Sequence, residues 1–503
     1  MENGNATLKK KFNKDYIWAF STYFTEGFPY AIIRSVSSVF FRDMKAPLSF
    51  IGLTSLFGIP WTLKFLWGPW ADEYGTKKRW LTGMQAPLVV MMLLAALFIP
   101  LHNNVYWVYG LFFIGAFIAA TNDIAIDGYY MEALDKDGQS KFIGLRTMAY
   151  RAAWMLGTGV IVTIGTTVGW SAAFFASALV FGLFYLYHLF FLNDIESPKK
   201  PFSLLVSKLI KGKTIALLGI ILIAAVAIQY FFQSPLYTKM VEKASFFKKM
   251  EFAHWIGFLL LLAMVLVAVF RNRLKDLLLQ NPDSQYSKAF ISFMDRDKIG
   301  IILAFIMLLR FGEWTLANMV SPFIVDVGIK VHYGWLSAGV GLPASIIGAI
   351  FGGWMISRYS LKKLAFPFIF AQNITNIIYM LLAMKLSAFV LLNTGAKEIT
   401  SIGTLNLVLV ACTHGFDQFA GGLGSAVLTT YLMRICKKDF KAGHYAIGSA
   451  LMNVTAPIAG VFSGIITQEL GYAWIFGISF IVSIPAMVLM FFLPNLEEQK
   501  VEE

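Results

Sequence analysis

Two carboxylates inside a long apolar stretch are the residues of this chain whose types and spacing most plainly predict chemistry. Asp123 and Asp127 follow Asn122, and their four-residue separation places both on one face of a helix. A charge in hydrocarbon costs several kcal/mol, so these groups must face a water-filled cavity, pair with a cation or take up protons. We predict that they carry protons. Alternatively, one forms a structural ion pair with Arg146 or Arg151 of the next helix, and both interpretations are compatible.

A second charged set lies in the first apolar helix. Glu26 is the second candidate for proton coupling, and Arg34 follows it two turns later as a candidate for substrate binding. Pro29 removes a backbone hydrogen bond and Gly27 loosens the helix, so we expect a break or bend near Glu26. The structural alternative is a salt bridge between Glu26 and Arg34, or an Arg34 side chain that extends to the membrane interface.

Other ionisable residues in apolar helices are candidates for substrate binding because intramembrane charge is functional by default. Arginine binds carboxylates in a two-pronged geometry, so a substrate with carboxylates is expected. Lys64 has a second interpretation, since its long side chain can extend to the membrane surface. The predicted substrate-binding residues are Lys64, Arg151, Arg310, Glu313, Asp417 and Arg34.

The elements that must position these residues are membrane-spanning helices. Hydrophobic residues make up 57% of the 503 positions and charged residues only 14%, which excludes an ordinary soluble protein. Windows of about 20 residues without charge, enough to cross a hydrocarbon core of ~30 Å, recur along the chain. They predict fourteen spans near residues 16–41, 48–70, 80–101, 104–132, 144–168, 170–192, 214–233, 252–271, 299–325, 333–356, 363–386, 400–433, 443–467 and 471–494.

The net charge of +13 is distributed in a way that favours a membrane orientation over nucleic-acid binding. Basic residues fall in alternate loops, which is the positive-inside bias and predicts that both termini are cytoplasmic. The loop 233–251 departs from this pattern because it carries lysines on the predicted outer side, so the seventh and eighth spans are less securely predicted. The first apolar stretch has the length of a full span and is predicted to remain as a helix.

Few motifs indicate catalysis or metal binding. Cys412 and Cys436 are the only cysteines, and neither a disulfide nor a metal site is expected from them. Gly212-Lys213-Thr214 lacks the upstream glycine of a nucleotide-binding loop, and the run Gly421, Gly422, Gly424 is explained better by close helix packing. We therefore expect no cofactor and no enzymatic activity.

A short charged phrase occurs twice, each time between consecutive apolar helices, and it indicates two similar halves. Such proteins usually bind a small molecule between the halves. We predict that the phrase forms ion pairs that hold one conformation and break in another, asymmetrically because Ser357 and Ser360 replace Asp72 and Gly75. The predicted gating residues are Gly68, Asp72, Gly75, Lys77, Lys78 and Arg79 in the first copy and Arg358, Lys362 and Lys363 in the second.

The halves are not contiguous, because two extra apolar segments interrupt a charged connector. We predict a six-helix bundle at residues 1–198, a cytoplasmic connector with two inserted transmembrane helices at residues 199–298, a second six-helix bundle at residues 299–494 and a polar tail at residues 495–503.

Several phrases together resemble the major facilitator superfamily, and more narrowly the AmpG-type muropeptide permeases of the peptide and acetyl-coenzyme A transporter group. They are Lys64-Phe65-Leu66-Trp67-Gly68-Pro69 leading to Asp72, Asn122-Asp123-Ile124-Ala125-Ile126-Asp127, Tyr150-Arg151, Gly352-Gly353 through Leu361, and Gly421-Gly422-Leu423-Gly424 followed by Tyr431-Leu432-Met433. Glu26, Arg34 and the inserted helix pair depart from the family pattern, and Asp417 stands where some relatives carry glutamate.

The resemblance implies a monomeric, multi-pass permease of the bacterial inner membrane. It implies a symporter that imports muropeptides, anhydro-sugar peptides from cell-wall turnover, with protons for peptidoglycan recycling. The nearest alternative is the same fold with another substrate, such as a coenzyme A thioester or a siderophore-like molecule. A membrane-embedded enzyme and a non-transporting membrane sensor are more distant alternatives, since neither a catalytic motif nor a large soluble domain is evident.

Overall fold

The computed structural model describes residues 2–134, 136–195, 200–210, 252–270, 285–390, 401–437 and 441–494, and the isolated residues 230, 234, 235, 237 and 273. Over these residues the chain is helical, and the β-type pairing found there is an isolated parallel bridge between Tyr74 and Lys200. The predicted all-helical membrane class is confirmed.

Six helical segments form what we call the N-terminal half and six form the C-terminal half. The first six are α1 (residues 2–43), α2 (residues 48–73), α3 (Lys77–Phe98), α4 (Asn104–Ala133), α5 (residues 136–167) and α6 (Trp170–Phe191). Among the described residues, three helices lie between the halves: α7 (Phe202–Ile210), α8 (Phe252–Val269) and α9 (Gln285–Met294). The last six are α10 (Ile299–Asp326), α11 (Lys330–Tyr359), α12 (Leu361–Lys385), α13 (Thr404–Ile435), α14 (residues 441–470) and α15 (Tyr472–Phe492).

The predicted spans agree well with these helices in position. Eight of the described helices are long and apolar enough to cross a membrane, namely α3, α4, α6, α10, α11, α12, α15 and the stretch Ile447–Leu470 of α14. The helices α1, α2, α5, α8 and α13 also lie where spans were predicted, although they are shorter, more polar or interrupted. Apart from residue 230, the predicted span at 214–233 lies outside the described residues. Most of the loop 233–251, whose lysines depart from the positive-inside pattern, also lies outside them.

Several helices contain a turn of different pitch midway along their length. A π turn interrupts α1 at Ile32–Val36, α5 at Leu156–Ile161 and α11 at Leu336–Gly341. The first of these begins three residues after Pro29, near which a break or bend was predicted. Such turns widen the helix locally and commonly occur at functional sites.

Each half is a closely packed group of helices. In the N-terminal half α1 packs against α5, and α3 packs against both α4 and α6. In the C-terminal half α13 packs against α11 and α12, and α15 packs against α10 and α12. The last helix of each half follows a glycine of positive φ, Gly169 at +131° and Gly471 at +86°, which allows the chain to reverse in a single residue.

The two ends of the molecule differ in charge. We call the end that carries Lys77, Lys78, Lys362 and Lys363 the basic end, and we call the other the opposite end. At the opposite end one cluster of buried apolar residues includes side chains of both halves, such as Phe40, Phe174, Phe323 and Tyr472. Towards the basic end the buried residues form separate clusters, one in each half. The halves are therefore joined at the opposite end and apart at the basic end.

Two seams make this junction. In the first, α2 packs on α14 so closely that a Cβ atom on Gly52 would lie 2.6 Å from the carbonyl oxygen of Gly460. In the second, the π turns of α5 and α11 meet, and a Cβ on Gly334 would lie 2.6 Å from the Gly159 carbonyl oxygen. Small residues allow the two backbones to approach in this way.

The helix α8, the described member of the predicted inserted pair, lies beside the first seam. It packs on α14 and the beginning of α2, where Ala253 joins Leu53 and Val461 in a small apolar cluster. The inserted helix thus contacts both halves.

Candidate functional site

A polar cavity of about 630 Å³ lies between the two halves. Helices α1 and α5 form one wall, and helices α10, α11 and α13 form the other. Its polar and aromatic lining residues are Tyr23, Glu26, Ser35, Arg146, Thr147, Tyr150, Arg151, Trp154 and Thr158 from the N-terminal half, and Ser321, Tyr333, Ser337, Ser345, His414, Asp417 and Gln418 from the C-terminal half. A cavity therefore lies between the halves, where a small-molecule site was predicted.

Asp127 is held by two donors from neighbouring helices. Its Oδ1 accepts a hydrogen bond of 3.0 Å from the Tyr23 hydroxyl and forms an ion pair of 3.0 Å with Arg146 Nη2. The Arg146 guanidinium also lies 4.3 Å from the centre of the Tyr23 ring. The ion pair that the sequence offered as an alternative is therefore present, and Arg146 rather than Arg151 is the partner.

Asp123 is buried more deeply and is only partly satisfied. Its Oδ2 accepts a hydrogen bond of 2.6 Å from Trp61 Nε1 and lies 3.8 Å from Lys64 Nζ. Its Oδ1 is buried without a hydrogen-bond partner. Lys64 therefore faces Asp123, and its ammonium group lies within ion-pair distance of that carboxylate.

Glu26 also has an unsatisfied carboxyl oxygen. Its Oε2 is buried without a hydrogen-bond partner while the residue lines the cavity. The predicted salt bridge to Arg34 is absent from the described ion pairs, because Arg34 Nη1 donates to the backbone carbonyl oxygens of Thr54 and Ser55 at 3.4 and 3.0 Å. Arg34 thus ties α1 to α2, and the described cavity wall does not include it.

The side chain of Asn122 takes over a hydrogen bond that the proline in α1 cannot make. Pro29 has no N–H to donate to the carbonyl oxygen of Thr25, one turn earlier. Asn122 Nδ2 donates to that carbonyl oxygen instead, at 3.1 Å. The carboxylate motif of α4 is therefore anchored to the helix that carries Glu26.

The same region contains a buried polar chain that the sequence analysis missed. His188 of α6 lies 2.9 Å from both Gln85 Oε1 and Ser21 Oγ, and Gln85 Nε2 donates to Thr25 Oγ1 at 3.0 Å. A fully buried histidine in an apolar helix was the available signal, because buried polar groups must find partners. The chain fixes α1 against α3 and α6.

Arg151 lies on the cavity wall without a partner. Within the described residues its guanidinium has neither an ion pair nor a side-chain hydrogen bond, although neighbouring Arg146 is neutralised by Asp127. An unpaired cation in a solvent-filled chamber is suited to bind an anionic group.

The C-terminal wall carries Asp417 and His414. Asp417 Oδ1 accepts from Thr375 Oγ1 at 2.7 Å and its Oδ2 from Gln418 Nε2 at 3.2 Å, so both donors are neutral. His414 Nδ1 lies 2.9 Å from the hydroxyl of Tyr379. The described residues include no cation within ion-pair distance of Asp417.

Arg310 and Glu313 are paired with each other, as their spacing on one helical face suggested. Arg310 Nη1 lies 2.5 Å from Glu313 Oε2, which also accepts from Gln372 Nε2 at 2.9 Å. Glu313 lines a small side cavity of about 100 Å³ that shares Asp417 and Gln418 with the main chamber. Arg310 itself is not part of either described wall.

The first copy of the repeated phrase is bound to the segment that follows α6. Gly75 N donates to the carbonyl oxygen of Lys200 at 2.8 Å, Glu73 pairs with the Lys200 side chain, and Lys78 lies 3.9 Å from Asp194. Lys77 is buried, with its Nζ donating to the Ala71 carbonyl oxygen at 2.7 Å. The side chain of Asp72 lies outside what the structure describes, and Arg79 is exposed.

The side chains of the second copy are more exposed than those of the first. Arg358, Lys362 and Lys363 are exposed, and the Arg358 guanidinium lies 5.9 Å from the ring centre of Trp354. Ser360 adopts a positive φ of 83° at the position of Gly75, which itself has φ +66°.

Four charged residues at the opposite end were missed by the sequence analysis. Arg42 and Asp326 form one ion pair between the halves, and Asp43 and Lys330 form another at 2.5 Å. Trp170 Nε1 donates to Asp43 at 2.8 Å. The signal was a pair of adjacent opposite charges at the end of the first span, but their partners are almost 300 positions away in the chain.

The Major Facilitator Superfamily model matches residues 19–281 and 302–503. The anhydromuropeptide permease of Escherichia coli K12 is 21% identical over 476 residues, covering 93% of this chain and 77% of that protein. Putative transporter AmpG 4 of Rickettsia conorii is 21% identical over 478 residues, covering 93% of both proteins. Among solved structures, peptide transporter POT in complex with sulfate has a TM-score of 0.63 at 12% identity, covering 97% of this chain and 96% of that one. Nucleoside transporter NupG has a TM-score of 0.58 at 13% identity, covering 95% and 97%.

Proposed function

Because this chain belongs to the major facilitator superfamily, we propose that it is a proton-coupled secondary transporter that imports muropeptides by alternating access. The observation that carries the proposal is the polar cavity between the halves, with buried carboxyl groups on its N-terminal side. The similarity to an anhydromuropeptide permease supports the substrate class.

The arrangement of the halves supports an inward-facing state. Among the described residues, both ion pairs that join the halves lie at the opposite end, as does the shared apolar cluster. With the basic end in the cytoplasm, by the positive-inside rule, the cavity is closed to the outside. Transport then requires the opposite end to open and the basic end to close.

The carboxyl groups supply the coupling. A carboxylate oxygen without a donor is costly in a buried position, and a proton removes the charge. Asp123 and Glu26 each have one such oxygen. Asp127 carries the third carboxyl group, and protonation there would release Arg146 to bind a substrate carboxylate. Proton uptake and substrate binding are thereby linked through one ion pair.

The cavity suits a sugar-peptide better than a polyanion. Its lining includes two arginines, Arg146 and Arg151, and two residues with carboxyl groups, Glu26 and Asp417. A coenzyme A thioester with several phosphates would favour an excess of basic groups. Trp154, Tyr150 and Tyr333 offer flat apolar faces against which sugar rings can pack.

The remaining parts of the proposal concern location and gating. We place the protein in the bacterial inner membrane as a monomer with both termini in the cytoplasm. The repeated phrases lie at the basic end, and we assign them to the gate that must close there. In the outward-facing state Glu73 then separates from Lys200, and Lys78 separates from Asp194, so that both can form other ion pairs.

The test is uptake of labelled anhydromuropeptide into vesicles with and without a proton gradient, for the parent, Asp123→Asn and Asp127→Asn. We expect both variants to lose gradient-driven accumulation. Asp297→Asn is the matched control, because Asp297 is exposed in the loop before α10. Gradient-driven accumulation by both variants would refute the coupling assignment, and failure of the parent to take up the label would refute the substrate.

A further inference from the structure

The two walls of the polar cavity each carry one charge that the protein leaves uncompensated. On the N-terminal wall Arg146 is neutralised by Asp127, which leaves Arg151 as the cation without a partner among the described residues. On the C-terminal wall Asp417 accepts hydrogen bonds only from a hydroxyl and an amide. Arg151 and Asp417 also do not pair with each other.

Glu26 does not alter this balance in its protonated form. Besides Asp417, the C-terminal wall carries the imidazole of His414. The neighbouring Glu313 is neutralised by Arg310, whose Nη1 lies 2.5 Å from Glu313 Oε2. With Glu26 protonated, the cavity is therefore positive on its N-terminal side, at Arg151, and negative on its C-terminal side, at Asp417.

We propose that this polarity selects zwitterionic solutes, which bind with a carboxylate on Arg151 and an ammonium group on Asp417. The inference deepens the proposed function, on which it rests, because it states the charge pattern and orientation of the substrate. An ammonium group on a peptide stem would supply the positive end and a carboxylate of the same stem the negative end.

The physical argument is one of matched desolvation. Closing the chamber around a ligand removes water from both side chains, and a charge left unpaired at that moment costs several kcal/mol. A purely anionic ligand compensates Arg151 but leaves Asp417 bare, and a purely cationic ligand does the reverse. A ligand with both charges compensates both walls, so it alone allows the chamber to close without that cost.

The near-isosteric variant Asp417→Asn isolates this effect. An asparagine at position 417 keeps an oxygen that can accept from Thr375, so the packing of α12 on α13 is retained. Arg151→Gln plays the same role on the other wall. Asp297→Asn, at an exposed position before α10 and outside the cavity, controls for the loss of a carboxylate elsewhere in the protein.

Binding to the purified, detergent-solubilised chain is measured by calorimetry with trialanine, N-acetyl-trialanine and trialanine amide. We expect the parent and Asp297→Asn to prefer trialanine over each blocked form by about tenfold. Asp417→Asn should lose the preference over the acetylated form only, and Arg151→Gln the preference over the amide only. Unfolding temperatures of all variants are measured alongside.

Uptake of anhydromuropeptide, with its amine free or acetylated, separates this inference from the proposed function. The inference would be overturned, with the proposed function intact, by two results together. The parent would take up the free and the acetylated muropeptide equally well, and it would bind trialanine and its two blocked forms equally well. Discrimination among the three peptides without any uptake of muropeptide would support the inference and refute the proposed substrate. If Asp417→Asn keeps the full preference for the free amine, Asp417 serves as a proton or metal-cation site and the ammonium assignment is wrong.

Discussion

Arg42 and Asp326 form a two-pronged ion pair across the junction of the two halves, with Nε to Oδ1 at 2.5 Å and Nη2 to Oδ2 at 2.6 Å. Tyr472 donates a third hydrogen bond, of 2.6 Å, to Asp326 Oδ2. Asp326 is buried and Arg42 is half-buried at the end where the two halves share an apolar cluster. The pair is thus placed to hold the opposite end closed, and it must separate for that end to open.

Asp326→Asn should weaken this closure. Removing one member of a buried ion pair costs about 3 kcal/mol, which is roughly a hundredfold shift toward the open state. The measurement uses Ser321→Cys, a cavity position, in a background where Cys412 and Cys436 are replaced by serine. An impermeant maleimide should label it faster from the outer side in the Asp326→Asn variant.

A charge exchange provides the control for that experiment. The double variant Arg42→Asp, Asp326→Arg restores opposite charges at the same two positions and should recover slow labelling. Equal labelling rates in the parent and in Asp326→Asn would show that the pair does not govern the gate.

Gly334→Ala should impair transport by preventing the close approach of α5 and α11. A Cβ at this position would lie 2.6 Å from the backbone oxygen of Gly159, which cannot move aside as a side chain can. We expect a loss of uptake of about tenfold or more, since a seam of this kind must form in every cycle. Gly339→Ala lies five residues further along α11, inside the π turn, where a Cβ would have its nearest neighbour at 3.9 Å, and it should retain uptake. Full activity of Gly334→Ala would contradict the seam.

Glu26→Gln should separate proton coupling from substrate exchange. Glutamine has nearly the same shape and lacks the titratable proton, so it should fold as the parent does. We expect accumulation driven by a proton gradient to be lost while exchange of labelled for unlabelled substrate continues. Loss of both activities, with normal folding, would assign Glu26 to substrate binding instead.

Ser360→Gly should stabilise the protein. Ser360 has φ +83° and ψ +150°, a region that glycine occupies freely and that costs other residues about 1–3 kcal/mol. We expect a higher unfolding temperature in detergent by fluorimetry. The comparison is Ser357→Gly, one turn earlier inside α11, which should lower that temperature because glycine weakens a helix interior by about 1 kcal/mol. A lower unfolding temperature for Ser360→Gly would mean that the serine side chain supports the turn.

Local features were predictable because they depend on neighbours in the chain. Apolar runs placed the described spans, the four-residue spacing placed Asp123 and Asp127 together on α4, and Pro29 indicated the irregularity in α1. The three-residue spacing of Arg310 and Glu313 gave their pairing. The boundaries of the two predicted bundles and of the connector stay predictions.

Other pairings were out of reach because they join residues far apart in sequence. Nothing near Arg42 indicates Asp326, and the sequence offered both Arg146 and Arg151 as partners for the α4 carboxylates. Arg34 was expected to pair with Glu26 or to bind substrate, but its guanidinium donates hydrogen bonds to backbone carbonyl oxygens of α2. The choice among such partners depends on which helices the fold brings alongside.

The sequence by itself determined that the chain is a helical membrane protein with ionisable groups that need a polar surrounding, while its two related halves stay a prediction. Burial in hydrocarbon enforces that requirement whatever the tertiary arrangement. Only the tertiary structure decided which charges are cancelled and which remain. Over the part of the chain that the structure describes, it leaves Arg151 and Asp417 without ion-pair partners on facing walls, and it closes the opposite end with Arg42 and Asp326. Charge compensation depends on distances of a few ångströms between helices, and helix packing sets those distances.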